Sequence, residues 1–355
     1  MNIALTGGGT AGHIMPNIAL LPQLKQTFDK ILYIGSATGL ESKICNQHNI
    51  NFLSCGSIKF NRAHLLKNFK IPFLLPRYVS EAKKILKTNN IDVVFSKGGY
   101  VALPVVLAAR SLSIPVVCHE SDSSLGVANK ITSFFADKTI TSFPTSKKKF
   151  SYIGNPLRQE IFSSDPIKIK KSLALKQNLP TLLIVGGSLG AQAINDTVYQ
   201  SLDILCPQYN VIHICGKNFT PIVRPNYHQL DFVDNISDYY AVADYVVARC
   251  GASLSGELSA LNKQVLYIPL PSLASRGDQI KNAEYLQVKQ YALVLSQESL
   301  SPATLCQSLQ TLKSFKKRKY YYDKNIPSRI VRQIAIVANN SKRLLKASKS
   351  KLKNA

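Results

Sequence analysis

Residues 244–286 gather the groups best suited to hold a phosphorylated sugar: Arg249, Gly251, Glu257 and Gln279. A short apolar run, Tyr245-Val246-Val247, is broken by Arg249-Cys250-Gly251-Ala252-Ser253, and Glu257 follows in a stretch of helical character. A second apolar run, Val265-Leu266-Tyr267-Ile268, ends at Pro269 and Pro271 and leads to Asp278-Gln279 and Asn282-Ala283. Strand, glycine turn, helix, strand, loop and helix make one unit of an open parallel sheet. Such sheets bind ligands beyond the carboxyl ends of their strands, where these four residues fall. A helix starting there offers N–H groups and a partial positive charge to a phosphate. A carboxylate one turn in can grip a pair of ribose hydroxyls. Taken one at a time, each residue is better read as part of a capped, solvated helix start; the combination carries the chemistry.

A second candidate opens the chain. Gly7-Gly8-Gly9-Thr10-Ala11-Gly12 follows a strand over Asn2–Thr6 and precedes His13, Pro16 and a helix expected from about Asn17. The spacing fits the G-x-G-x-x-G dinucleotide fingerprint. A nicotinamide cofactor needs an acidic residue at the end of the second strand, and the run at 31–34 ends in Gly35-Ser36-Ala37 instead. The glycines are better read as room for a close-approaching pyrophosphate. His13 is equally a neighbour of the helix cap with no chemistry of its own.

The elements that must position these residues repeat. Val93–Ser96 runs into Lys97-Gly98-Gly99-Tyr100-Val101, and Val116–Glu120 closes on His119-Glu120. Thr181–Val185 leads into Gly186-Gly187-Ser188-Leu189-Gly190-Ala191 and a helix bearing Asn195. The strand, glycine loop and helix of 2–20 thus recur near 182–200, which predicts two similar α/β domains. Residues 165–171 read as a charge-rich linker, 327–338 as helix, and 341–355, with six Lys or Arg and no acid, as a frayed basic tail. The basic run at 313–319 before Tyr320-Tyr321-Tyr322 reads first as a solvated helix face.

Composition sets the bounds. At 355 residues and 45% apolar, the chain is long enough for two domains of a soluble globular protein. It has no apolar run long enough to span a bilayer, and its start lacks the pattern of a signal peptide, so a cytoplasmic protein is expected. The seven cysteines include no Cys-x-x-Cys pair and read as buried thiols. A net charge of +24 predicts an acidic partner. Nucleic-acid motifs are missing, which leaves anionic lipid and phosphorylated metabolites. Residues 55–85 interleave Lys59, Arg62, Lys67, Lys70, Arg77, Lys83 and Lys84 with Phe60, Leu65, Leu66, Phe69, Ile71, Phe73, Leu74 and Leu75. Such a segment either rests on an anionic bilayer or is an ordinary helix facing the core.

In chain order, the sequences at 8–13, 97–100 and 119–122 (with Gly126 and Asn129 in step), then 154–158, 186–190, 249–257 and 278–283, resemble the MurG family. These are two-domain nucleotide-sugar glycosyltransferases that add N-acetylglucosamine to a lipid-linked peptidoglycan precursor. The resemblance implies the GT-B architecture: α/β, two facing Rossmann-like domains, each a parallel sheet flanked by helices. The boundaries it implies are 1–157 for an acceptor and membrane-facing domain and 158–327 for a UDP-sugar domain. A helix at about 328–345 would pack back on the first.

The implied reaction is inverting transfer from UDP-N-acetylglucosamine to the 4-hydroxyl of undecaprenyl-pyrophosphoryl-N-acetylmuramoyl-pentapeptide (lipid I), in cell-wall synthesis. By the same resemblance Gly8, Gly9, Gly98, Gly99 and Tyr100 line the acceptor site. His13 is the first candidate for general base, and the pair His119-Glu120 the second; that pair is also read as one that orients a loop. Thr10, Gly12, Asn129, Arg158, Ser188 and Asn195 serve the donor, and Arg249 orients the turn or steadies the diphosphate. The main chain at Val233 reads uracil, Ile236 also binds the donor, Ala252, Ser253 and Leu254 offer N–H groups to phosphate, Glu257 holds the ribose, and Gln279 contacts the sugar.

No cofactor and no metal are implied, and the absence of Asp-x-Asp agrees with that expectation. The expected partners are the two substrates, an anionic membrane at its cytoplasmic face, and other cell-wall synthesis proteins; nucleic acid is not among them. Asp122 stands where the family has Asn, Leu189 where it has Gln, and Asp278 where it often has a second Gln. These departures keep open a catalytically altered relative using another UDP-sugar, and the nicotinamide-dependent oxidoreductase stands as the remaining alternative.

Overall fold

Apolar runs of four to six residues form most of the inner strands, which are covered on both faces as parallel sheets require. The computed structural model describes residues 1–58, 69, 71–187, 190–217, 219–233, 235–272 and 277–353. They divide into two units, Met1–Arg158 with Lys324–Ala355, and Gln159–Asp323.

The first unit holds β1 (Asn2–Thr6), α1 (Ala11–Ala19), α2 (Leu21–Thr27), β2 (Lys30–Gly35), α3 (Glu41–Gln47) and β3 (Asn51–Ser54). It continues with α4 (Ile71–Thr88), β4 (Val93–Ser96), α5 (Ala102–Ser111), β5 (Val116–Glu120), α6 (Val127–Phe135), β6 (Lys138–Thr141) and β7 (Phe150–Tyr152). All pairings are parallel, in the order β3-β2-β1-β4-β5-β6-β7. Ala4, Leu32, Ile34, Val94, Val116 and Cys118 form one core with Ala82 and Leu86 of α4 and with Val105 and Val106 of α5.

The second unit holds α7 (Pro166–Ser172), β8 (Thr181–Val185), α8 (Gln192–Leu205), β9 (Asn210–Ile214), β10 (Tyr227–Leu230), α9 (Ile236–Val242) and β11 (Tyr245–Ala248). Then come α10 (Ala252–Ala260), β12 (Gln264–Tyr267), α11 (Asp278–Val288), β13 (Leu293–Val294) and α12 (Pro302–Ser314). Its order is β10-β9-β8-β11-β12-β13, again all parallel. The strand period of two is explicit in β8. Leu182 and Ile184 join the core against α8 and α12, while Leu183 and Val185 join the opposite core with Leu258 of α10 and Leu286 of α11.

Helix α13 (Ile326–Lys353) returns to the first unit, packing against α2, β4 and β5 with Ile330, Val331 and Ile334 buried. Four local expectations are corrected. Helix α1 begins at Ala11 and carries Pro16 inside it, so His13 lies in its first turn. The expected linker at 165–171 is α7, because Asp165 caps it by accepting from the Ile167 N–H at 2.9 Å and Pro166 opens it. The expected frayed tail continues α13 to Lys353, since the run contains good helix formers and no Gly or Pro. Residues 315–323 are not helix. They form part of the second unit, with Lys317 Nζ donating to Lys263 O at 3.0 Å and the Tyr320 N–H to Asn262 Oδ1 at 2.9 Å.

Candidate active site

In the first sheet the strand order reverses between β1 and β4, and both strands end in glycines. The Lys97 N–H donates to Thr6 O at 2.8 Å, joining the two turns. Gly99 has φ of +78°, and a Cβ there would collide with the carbonyl oxygen of Gly8, so the two loops touch backbone to backbone. The first loop is held from beneath. Tyr33 Oη donates to Gly7 O at 2.5 Å, and the buried Glu41 accepts the Gly9 N–H at 2.8 Å. The Tyr100 ring covers Gly9; its Cε1 lies 2.6 Å from where a Cβ of Gly9 would stand.

His13 is partly buried, with Nδ1 3.0 Å from Thr10 Oγ1. The Thr10 hydroxyl meets one ring nitrogen and so orients the imidazole in the first turn of α1. Gly12 precedes it in the same turn of α1.

His119 is differently placed. It is fully buried, Nε2 donates to Gly154 O at 3.0 Å, and Nδ1 accepts from Lys97 Nζ. Burial, then the Lys97 charge, holds its pKa well below the usual imidazole range. Glu120 is equally occupied. One oxygen accepts the Asp122 N–H at 3.1 Å; the other accepts the Gly126 N–H at 3.0 Å and Asn129 Nδ2 at 2.9 Å. The pair therefore shapes the loop leading into α6. Asn129 is buried beneath Gly98, where any Cβ would strike its side chain. Arg158, partly buried, closes this unit.

In the second sheet the order reverses between β8 and β11. Ser188 and Leu189, in the glycine turn after β8, lie outside the described residues. Gly190 has φ of +78° and meets the carbonyl oxygen of Cys215 at the end of β9. Asn195 in α8 is buried, donating to Cys215 O at 2.9 Å and bonded through Oδ1 to His213 Nε2 at 3.0 Å. Tyr227 Oη meets His213 Nδ1 at 2.9 Å. Asn195 thus fixes the loop beside the glycine turn.

After β11, Gly251 starts α10 with no side-chain cap. Ala252, Ser253 and Leu254 form its first turn, an N-terminus suited to anions. Glu257, one turn on, is buried, and Tyr240 Oη donates to its Oε2 at 3.2 Å. Arg249 is buried and turned back onto its own unit. Its guanidinium donates to Ile268 O at 3.0 Å, Pro269 O at 3.2 Å and Gln297 Oε1 at 2.6 Å. Burial lowers its pKa from the ordinary value. Arg249 thus orients the turn after β12.

Gln279, in the first turn of α11, accepts the Leu270 N–H at 3.0 Å. Asn282 donates to Cys250 O at 3.2 Å. Val233, Ile236 and Leu254 pack their side chains on the core, so what they offer a ligand is main chain.

Sequence reasoning missed four supporting residues, Glu41, Lys97, His213 and Tyr240. Lys97 carried a signal, a cation closing an apolar strand directly before two glycines. The other three have none, because their partners lie 14 to 32 residues away along the chain.

Comparison with known proteins agrees with this architecture. Residues 3–141 match the glycosyltransferase family 28 N-terminal domain, and residues 181–335 the glycosyltransferase family 28 C-terminal domain. A Clostridium botulinum (strain Langeland) protein is 43% identical over 319 residues, covering 87% of this chain and 90% of the relative. A Clostridium perfringens (strain ATCC 13124) protein is 41% identical over 337 residues, covering 92% and 94%. Both relatives are named UDP-N-acetylglucosamine--N-acetylmuramyl-(pentapeptide) pyrophosphoryl-undecaprenol N-acetylglucosamine transferase. The crystal structure of Acinetobacter baumannii MurG superposes with a TM-score of 0.68 at 24% identity, covering 98% of this chain and 99% of that one. With both domain models matched in order and identity above 40% along most of its length, the chain belongs to glycosyltransferase family 28.

Proposed function

We propose that the protein transfers N-acetylglucosamine from UDP-N-acetylglucosamine to the 4-hydroxyl of N-acetylmuramyl-(pentapeptide) pyrophosphoryl-undecaprenol, with inversion. The observation that carries this reading is the identity of 43% with a transferase of that name across 87% of the chain. The arrangement of the second unit supports it. The start of α10, where Gly251 supplies no side-chain cap, suits the diphosphate, Glu257 one turn later suits the ribose, and Gln279 at the start of α11 suits the sugar.

In the reaction the acceptor hydroxyl loses a proton as it attacks the anomeric carbon, and UDP leaves with added negative charge. His13 is the proposed base, its ring oriented by Thr10 through Nδ1. Helix-terminal N–H groups stabilise the leaving diphosphate without a metal. The Gly7–Gly9 and Gly98–Gly99 turns, with Tyr100, form the acceptor side.

The protein also docks on the cytoplasmic face of an anionic membrane, without spanning it. No helix among the described residues is long and apolar enough to cross a bilayer. Phe69, just before α4, and Phe73, in its first turn, are 78% and 72% exposed, and Val127, Ile131 and Phe134 form an exposed stripe on α6. Helix α5 packs against both α4 and α6. Much of the basic segment expected to rim this patch, including Lys59, Arg62, Lys67 and Lys70, lies outside the described residues. Replacing Phe69, Phe73 and Phe134 by Ser together should weaken binding to anionic vesicles; undiminished binding would remove the docking reading.

The activity itself is tested with labelled UDP-N-acetylglucosamine and a short-chain lipid acceptor, with and without chelator. Label reaching the lipid phase in both conditions is expected. Donor binding without transfer would point to a changed sugar or acceptor.

A further inference from the structure

Lys97 is only 1% exposed, and its ammonium bonds to neutral groups. Nζ donates to Nδ1 of His119 and, at 2.6 Å, to Ser121 Oγ. The imidazole can accept because its proton is on Nε2, bonded to Gly154 O at 3.0 Å. The Ser121 hydroxyl donates in turn to Asn155 Oδ1 at 3.3 Å. One buried cation thus ties together the end of β4, the end of β5 and residues 154–155.

A buried cation needs a nearby negative charge to offset its lost hydration. The oxygens of Glu120 are already committed to three N–H groups. One of these groups is the Asp122 N–H, which keeps Asp122 in the turn that carries Ser121. Burial brings the Lys97 pKa down to about 7, and the negative charges of Glu120 and Asp122 oppose that fall. Asp122 is the residue at which the chain departs from the asparagine of the family it resembles. An asparagine there would leave the lysine charge to Glu120 alone.

We propose that Lys97 is a positioning residue that holds His119 and Ser121 in place at the acceptor-side strand ends, and that the neighbouring carboxylates of Glu120 and Asp122 together offset its buried charge. Only the kinetic arm of the test rests on the transferase reading.

The test compares Lys97→Met, Lys97→Gln, Asp122→Asn and the Lys97→Met/Asp122→Asn double variant. Three quantities are measured: acceptor kcat/KM, the melting temperature, and the ring-nitrogen NMR shifts of His119 in histidine-labelled protein. Each single variant should lower kcat/KM. The loss in the double variant should be smaller than the product of the two single losses by about threefold or more, the scale of coupling within one hydrogen-bonded network. The His119 Nδ1 signal should move in Lys97→Met. It should stay near its native position in Lys97→Gln, whose amide still donates. A double variant whose losses simply multiply, together with an unmoved Nδ1 signal, would overturn the proposal. If no variant or wild-type protein transfers sugar, the melting temperatures and the Nδ1 signal still decide it. Should Lys97→Met fail to fold, Lys97→Gln with Asp122→Asn carries the same comparison.

Discussion

Replacing Glu120 by Gln tests whether a buried carboxylate builds the turn between β5 and α6. The side chains have the same shape, so only charge and hydrogen bonding change. The carboxylate accepts from Asp122 N on one oxygen and from Gly126 N and Asn129 Nδ2 on the other. The amide has one acceptor oxygen, which does best facing Gly126 and Asn129. Its NH2 then points at the Asp122 N–H, donor against donor. Bonds to a charged acceptor contribute about 1.5–3 kcal/mol each and neutral ones about 0.5–1.5, so two bonds weaken by about 1 kcal/mol each and one worth about 2 is lost. Burying a neutral group in place of a charge returns about 1–2 kcal/mol, leaving a net loss of about 2–3 kcal/mol. At about 2–4 °C per kcal/mol for a unit of this size, the first unit should melt about 5–10 °C lower in scanning calorimetry. The acceptor KM should rise while UDP affinity is kept. A shift under about 2 °C with an unchanged acceptor KM would refute the idea that this carboxylate holds the turn.

Three further outcomes are expected. Glu257→Ala should weaken UDP binding by about tenfold or more in titration calorimetry, the loss of charge-assisted bonds to a ribose; unchanged affinity would remove that assignment. Arg249→Met should lower the melting temperature of the second unit, because the carbonyls of Ile268 and Pro269 lose their donor. If UDP affinity falls instead and melting does not, Arg249 serves the diphosphate. The third concerns acid. Burial brings the folded pKa of His213 to about 3, while unfolded imidazole titrates near 6.5. Between those values the unfolded chain binds more protons, so stability falls as pH drops from about 6.5 towards 3. His213→Gln should flatten that slope for the second unit in urea melts at pH 4 to 7; an unchanged slope would assign the acid sensitivity elsewhere.

What was legible along the chain was local. Val93–Ser96 before Lys97-Gly98-Gly99, and Tyr245–Ala248 before Arg249-Cys250-Gly251, state a buried strand and then a turn, because a parallel strand must be apolar on both faces and end abruptly. The polar strand β10, Tyr227–Leu230, and the caps of α7 left weaker signals and were missed.

The sequence by itself determined the strand-turn-helix repeat, the types of residue at the strand ends and the expectation of two parallel sheets. Their jobs were decided by tertiary structure. Arg249 turns inward to carbonyls that a later strand brings close, and His119 is locked by Lys97 and Gly154, 22 and 35 residues away. Glu41 reaches back 32 residues to the Gly9 N–H. A side chain's protonation and orientation depend on what the fold buries beside it, and no local spacing encodes that neighbour.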